Sequence, residues 1–433
     1  MYRDKKIVLF GASYDKDSTC DYVINWLSKE KYSIEYLVDN DENKQGKEVY
    51  NKQIRDPKEL LKENRDNILI IVTSGYVKEI SYQLQEMGFK RKDNFIRLYD
   101  WNELRGSYVS DKLKKSITLD SKGNNIPTSI NLEITSFCNM ECCYCPYHSK
   151  WIDKSDKAPN VMMTEDIFNK ILKQLKNIRT LRDITIGGRG ECLLHPKWFE
   201  FAQSISKNTS VKEITLLTNG KLLNDVNNKK ISELNFERIN ILISIDGYSE
   251  NENSYFRINS DYSIIKENLN KLIKLTQDNS RIKISIMNVK VPNIDEVHIK
   301  SELDIAEYIK KDFPQVSYWG TYAISFYKNI ENKFIEQGFS IVEGVNENLF
   351  ICTSPFKQIA INSSGKVLAC SCGNGQNKVV GVVEEENLIS LWNNDEFKSM
   401  RKDFLNRKNP SICNLCANNI ELKPYRIICR GEQ

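Results

Sequence analysis

Three cysteines inside eight residues, Cys138, Cys142 and Cys145, constrain this chain more than any other feature. They stand as C-x-x-x-C-x-x-C in the stretch Phe137-Cys138-Asn139-Met140-Glu141-Cys142-Cys143-Tyr144-Cys145-Pro146, so one short loop can present three thiolates to three corners of a cubane iron–sulfur cluster. Such clusters are normally held by four Cys thiolates. A local set of three therefore implies either a distant fourth ligand or an iron kept for a bound molecule. The competing reading is zinc, a common occupant of clustered cysteines. Zinc sites tend to use paired C-x-x-C units or added histidines, and only His148 of the three histidines lies close by.

The cysteine loop resembles that of the radical S-adenosylmethionine (SAM) superfamily, down to the aromatic Tyr144 before the last cysteine. The resemblance implies a [4Fe–4S] cluster on Cys138, Cys142 and Cys145. Its open iron would chelate SAM and split it reductively to a 5′-deoxyadenosyl radical. Later segments follow the order of that superfamily. Asp183-Ile184-Thr185-Ile186 reads as a short strand running into Gly187-Gly188-Arg189-Gly190-Glu191, similar to the family's glycine-rich motif, which implies that Gly190 and Glu191 meet the SAM amino group. Glycines suit a place where backbone must approach a ligand without a Cβ in the way. Ile239 to Gly247 resembles the family's S-I-D-G strand, which implies that Ser244 and Asp246 lie near the ribose, and Arg257 matches the arginine that meets the methionyl carboxylate. Taken without the resemblance, the glycine run is a tight turn, and Asp246 and Arg257 are solvated charges.

The last hundred residues hold a second cysteine set. Cys352, Gly365 and Cys370 form C-x12-G-x4-C, followed by Cys413-Asn414-Leu415-Cys416. A glycine turn at Gly365 would fold a hairpin that returns one thiolate to the other. The set is similar to the auxiliary-cluster domain of the SPASM/twitch group of radical enzymes. No cysteine occurs from Ala417 to Arg426, so the shorter twitch form with one auxiliary [4Fe–4S] cluster is the better match. The resemblance implies the ligands Cys352, Cys370, Cys413 and Cys416, with Cys372 and Cys429 as possible replacements. A four-cysteine zinc knuckle is the alternative.

The chain is α/β throughout. With 433 residues it is too long for one core. Residues 1–105 alternate strand and helix as a Rossmann-like open sheet, with Gly11 and Asp39 at the ends of the first two strands. The full G-x-G-x-x-G is missing, so no nicotinamide cofactor is expected. Residues 106–127, polar and lysine-rich, read as a linker. Residues 128–340 suggest a partial (β/α)6 barrel, with helices at Thr164–Ile178 and Tyr262–Leu275 and late strands at Ile282–Asn288 and near Tyr322–Tyr327. Residues 341–433 form the cysteine-rich twitch/SPASM-type domain. No apolar run is long enough to span a bilayer, and the start is not secretory, so a cytoplasmic location is expected. Twelve cysteines in a reducing compartment argue for metal or redox chemistry over disulfides. The 62 basic and 58 acidic residues nearly balance, which gives no sign of a nucleic-acid surface.

The resemblance and the N-terminal domain together suggest a radical oxidoreductase: a dehydrogenase or epimerase of a carbohydrate-type alcohol, with a sugar or nucleotide-linked substrate and a reducing partner such as flavodoxin or ferredoxin. Cys192 and Cys372, spare in the ligand count, are the candidate hydrogen donors for epimerisation. A peptide-modifying radical enzyme is the main rival. A non-catalytic zinc scaffold is the rival from another class.

Overall fold

Runs of β-branched and apolar residues closed by glycine or a polar side chain become parallel strands in both halves of the chain. The computed structural model describes residues 2–16, 18–152, 159–291, 311–322, 328–345, 352–372, 378–406, 408, 410–413 and 424–430. The chain divides into two compact units, Met1–Lys114 and Lys115–Gln433.

In the first unit, β1 (Lys6–Phe10), β2 (Ile34–Val38), β3 (Glu48–Val49), β4 (Lys52–Arg55), β5 (Ile68–Val72) and β6 (Phe95–Arg97) form one sheet in the order β3-β4-β2-β1-β5-β6. All pairs are parallel except β3 with β4. Every residue of β5 is buried, as expected of a parallel strand covered on both faces. The helices α1 (Thr19–Lys29) and α2 (Val77–Glu86) fall where the sequence places them. Gly11, at φ +109°, turns the chain at the end of β1, where an added Cβ would stand 2.7 Å from Ser74. The Asp39 carboxylate accepts the Ala12 N–H at 2.7 Å and the Asp41 N–H at 2.9 Å, and pairs with Lys44 at 3.1 Å.

The expected linker begins as a helix. Residues Asn102–Lys115 form α3, which buries Leu104, Tyr108, Val109 and Leu113. Those apolar positions spread over about half of the helix circumference, and Arg105, Ser107, Ser110, Asp111 and Lys112 between them hide the pattern when composition is read alone.

The second unit is built on β7 (Ser129–Leu132), β8 (Asp183–Ile186), β9 (Glu213–Thr218), β10 (Arg238–Ser244), β11 (Ile282–Lys290) and β12 (Ser317–Tyr322). They lie side by side in sequence order, all parallel. Helices α4 (Glu165–Leu175), α5 (Trp198–Asn208), α6 (Asp225–Ser232), α7 (Glu250–Phe256) and α8 (Tyr262–Thr276) connect them. Alternate residues of β8, β9 and β10 enter one core with Phe168, Phe201 and Leu269. Thr164 caps α4 by accepting the Ile167 N–H, as expected of Thr before Glu-Asp. β12 reaches Tyr322, and the rest of the strand expected near 322–327 falls outside the described residues.

The cysteine-rich segment does not stand apart from this sheet. β14 (Gln358–Ile361) pairs in parallel with β7, Gln358 opposite Ser129 and Ile361 opposite Leu132. β15 (Lys366–Leu368) and β16 (Val379–Val382) continue antiparallel. The hairpin expected around Gly365 is present, and Gly365 holds φ +72° in its turn. A separate pair joins β13 (Phe339–Val345) to β17 (Pro424–Arg430), with Ser340 opposite Cys429. Among the described residues, no helix is long and apolar enough to cross a membrane.

Candidate functional site

Because β7 to β10 are parallel, the segments that leave their C-terminal ends meet at one edge of the sheet. Conspicuous polar residues at such strand ends form active sites in βα barrels. Cys138 lies beyond β7, Gly187–Glu191 beyond β8, Asn219 beyond β9 and Asp246 beyond β10.

The cysteine loop is strapped to the segment after α7: the Glu141 N–H donates to Ile258 O at 2.9 Å and the Cys143 N–H to Phe256 O at 2.8 Å. Those two bonds bracket Arg257. Its guanidinium ion-pairs with Asp246 at 2.7 Å, with Nη1 3.8 Å from Cys142 Sγ. Asp246 also accepts the Val289 N–H at 2.7 Å and the Tyr144 hydroxyl. Both ion-pair side chains are buried, at 7% and 0% exposure. Burial would lower the Arg257 pKa, but the charge of Asp246 overrides it and holds the guanidinium firmly protonated. Burial and Asp246 together push the Tyr144 phenol well above its ordinary value, so it stays a donor. Ser244 ends β10, buried at the same edge. The structure therefore gathers Cys142, Tyr144, Ser244, Asp246 and Arg257.

At this edge Glu191 is held by the protein itself. Its carboxylate accepts the Thr218 hydroxyl at 2.8 Å, the Asn219 N–H at 2.7 Å and the Leu193 N–H at 3.1 Å. It ties the glycine loop to the end of β9, and burial raises its pKa against those bonds. Gly190 packs on the chain that leads into the cysteine loop, where an added Cβ would stand 2.3 Å from Phe137 O and 2.6 Å from Thr135 O. Gly190→Ala is therefore expected to displace this loop and lower SAM affinity at least tenfold, read by equilibrium dialysis.

Three side chains that sequence reasoning passed over complete the edge. Glu133 accepts Arg189 Nε at 2.9 Å and Nη2 at 2.7 Å, and Asn219 Nδ2 donates to Asn139 Oδ1 at 2.7 Å. The signal available was an acidic residue directly after the apolar run of β7, five positions before Cys138.

The spare cysteines separate by environment. Cys143 is buried in an apolar cluster with Phe256, Phe334 and Phe339, whereas Cys138 and Cys142 pack beside the barrel core. Cys192, expected as a hydrogen donor, lies in the core at 2% exposure and donates to Leu217 O at 3.2 Å, because the turn after Glu191 folds inward. Cys372, the other candidate donor, is exposed beside Cys370, whose Sγ accepts the Cys372 N–H at 3.3 Å. Cys370 follows β15, so this pair sits by the N-terminal end of β7, where Ser371 bonds to Gln358. The four residues of β7 separate it from the other edge by about 13 Å. Neither candidate donor faces the Cys142–Arg257 group.

The Cys372 thiol is pulled down to about 7 by its hydrogen bond with Cys370, whose own pKa rises. Cys352 feels the charge of Cys372, so these three thiols share one neighbourhood. Cys413 closes a turn from Ser411, Cys429 is buried in β17, and Cys416 lies outside the described residues. A cavity of about 650 Å³ opens at this same N-terminal edge, lined by Arg179, Arg182 and Lys357 among others, away from the cysteine loop.

Among the described residues, no three His, Cys, Asp or Glu side chains already stand in metal-ligand geometry. The donor set nonetheless suits an iron–sulfur group. Burial raises the thiols of Cys138 to about 11 and Cys142 to about 12, so they are neutral until a metal claims them as thiolates. The one out-of-pattern cysteine, Cys143, is turned into an apolar cluster.

Parts of this chain are similar to known families and proteins. Residues 132–302 match the model of the Radical SAM superfamily, residues 352–417 the SPASM iron-sulfur cluster-binding domain, and residues 3–94 the C2185-like N-terminal family. A tungsten-containing aldehyde ferredoxin oxidoreductase cofactor-modifying protein from Pyrococcus furiosus is 29% identical over 36% of this chain and 41% of its own length. A GTP 3′,8-cyclase from Clostridium perfringens is 28% identical over 39% of this chain and 49% of its own. The chain thus spans about half the length, or less, of these relatives. The crystal structure of BtrN in complex with AdoMet and 2-DOIA is 16% identical and aligns with 70% of this chain and all of that one, at a TM-score of 0.42.

Proposed function

We propose, for a chain that carries a radical SAM domain and a SPASM iron–sulfur domain, that it oxidises a carbohydrate-type alcohol by hydrogen abstraction, with Cys138, Cys142 and Cys145 holding the SAM-binding cluster. When bound, the clusters supply reductive cleavage of SAM to a hydrogen-abstracting radical and a one-electron acceptor for the substrate. The observation that carries the reading is the buried group of Cys142, Tyr144, Asp246 and Arg257 at the C-terminal edge of the sheet.

Each residue has a role. Arg257 presents a fixed positive charge beside Cys142, suited to a carboxylate such as that of the methionyl group. Asp246 orients that guanidinium and keeps the Tyr144 hydroxyl directed inward. Ser244 offers a hydroxyl at the rim, and Gly190 lets the glycine loop pack closely on the chain at Thr135 and Phe137 that leads into the cysteine loop. Glu191 holds the loop in place from behind. Cys352 and Cys370, with Cys413 and Cys416, are the proposed auxiliary ligands, and Cys372 stands ready to replace one of them.

Oxidation is favoured over epimerisation because neither Cys192 nor Cys372 faces the site to return a hydrogen atom. A small-molecule substrate is favoured by the relative named for a cyclisation of GTP, and by the separate α/β unit ahead of the barrel. Oxidation removes two hydrogens from the alcohol: one leaves as an atom, and the other as a proton plus an electron. One SAM is therefore consumed for each ketone formed.

The test is anaerobic reconstitution. About eight irons per chain, for two cubane clusters, and 5′-deoxyadenosine formed in step with ketone from amino-sugar or cyclitol alcohols are expected. A colourless zinc protein, or productive SAM cleavage only with a peptide, would overturn the reading.

A further inference from the structure

Glu133 is a buried carboxylate, 3% exposed, with partners on two segments far apart in the chain. From the loop after β8 it accepts the Arg189 backbone N–H at 3.0 Å together with both guanidinium bonds. From the turn of the auxiliary hairpin it accepts the Ser363 hydroxyl at 2.9 Å and the Ser363 N–H at 3.3 Å. Its own backbone N–H donates to Ile361 O at 2.9 Å, at the end of β14. Gly188 packs directly on it, since an added Cβ there would stand 2.8 Å from the Glu133 Cβ. Burial would raise the Glu133 carboxyl, but the bonds from Arg189 and Ser363 outweigh it and keep the group ionised.

We propose that Glu133 couples the SAM site to the auxiliary-cluster hairpin, as a positioning residue whose carboxylate is shared by the Gly187–Glu191 loop and the turn at Ser363. This inference rests on the reading of that loop as part of the SAM site. The physical basis is the sharing itself. Glu133 Oε1 receives both Arg189 Nη2 and the Ser363 hydroxyl, so any movement of Arg189 as the loop closes on a ligand changes the bond to Ser363. Ser363 is fully buried and the Arg189 side chain is 11% exposed, so water screens the exchange only weakly. The β14–β7 ladder then carries the change along the hairpin toward Cys370. Occupancy at one edge of the sheet is in this way sensed at the other.

The test is hydrogen exchange on the reconstituted full chain, with S-adenosylhomocysteine as an uncleaved probe and SAM as a check, for the wild type, Ser363→Ala and Glu133→Gln. In the wild type, ligand slows exchange in peptides covering 187–191 and also in those covering 358–368. In Ser363→Ala the first response persists and the second falls at least threefold, with iron content unchanged. In Glu133→Gln ligand affinity falls at least fivefold. Should Glu133→Gln not fold, Ser363→Ala decides alone, because it leaves the Arg189 pair intact. A hairpin response equal in Ser363→Ala and wild type overturns the coupling, as does a wild type that binds ligand with no hairpin response. A wild type that binds neither ligand overturns the reading of the SAM site itself, and the coupling with it.

Discussion

Replacing Cys142 by alanine is expected to abolish SAM cleavage, with 5′-deoxyadenosine falling to background, at least a thousandfold below wild type. It should leave about half of the bound iron in place. Three thiolates are the minimum that holds a cubane with one iron open, and Cys142 is the member that faces Arg257, 3.8 Å away. Of the auxiliary set, Cys370 lies by the opposite end of β7 with Cys352 in its neighbourhood, so that cluster is expected not to depend on Cys142. Iron analysis and electron paramagnetic resonance of the reduced variant provide the check. Loss of all iron would show that the two cysteine sets are not independent.

The second large effect is expected at Asp246. Replacing it with asparagine leaves the Arg257 guanidinium buried and uncompensated, a situation that costs about 3–5 kcal/mol. In the metal-free protein this should appear as reduced hydrogen-exchange protection of the β9 to β11 amides. SAM cleavage should fall at least a hundredfold, because the guanidinium and the Tyr144 hydroxyl both lose the group that orients them. Adding Arg257→Gln to Asp246→Asn removes the stranded charge. The double variant should regain most of the protection and none of the cleavage. Equal protection in all three proteins would mean that the pair contributes nothing measurable to the fold.

Much of this edge was legible beforehand. C-x-x-x-C-x-x-C, the glycine run before Glu191, Asp246 after a β-branched strand and Arg257 beyond it are local patterns, each written in a few consecutive residues. Strand positions followed for the same reason: Ile68–Val72 and Glu213–Thr218 alternate or run apolar over the length of one strand. The misreadings came where a local pattern has two physical outcomes. Residues 106–115 are polar enough for a linker, yet they form helix and bury Tyr108, Val109 and Leu113. The partners that hold the Glu191 carboxylate, Thr218 and Asn219, come 27 and 28 residues later and are not legible from the motif. Cys192 and Cys372 looked equivalent as spare thiols until one proved to be core and the other to lie by the far end of β7.

By itself the sequence determined the chemistry available: thiolates at cluster spacing, a cation and a carboxylate in fixed order, and parallel strands to carry them, because spacing and residue type are properties of neighbours along the chain. Only the tertiary structure decided which groups meet. That β14 joins β7 beside the first cysteine loop, that Glu133 holds Arg189 and Ser363 at once, and that Arg257 stands between Asp246 and Cys142 are all contacts between residues far apart in the chain. Strand pairing and the satisfaction of buried charge select such contacts over the whole fold, and no single segment encodes them.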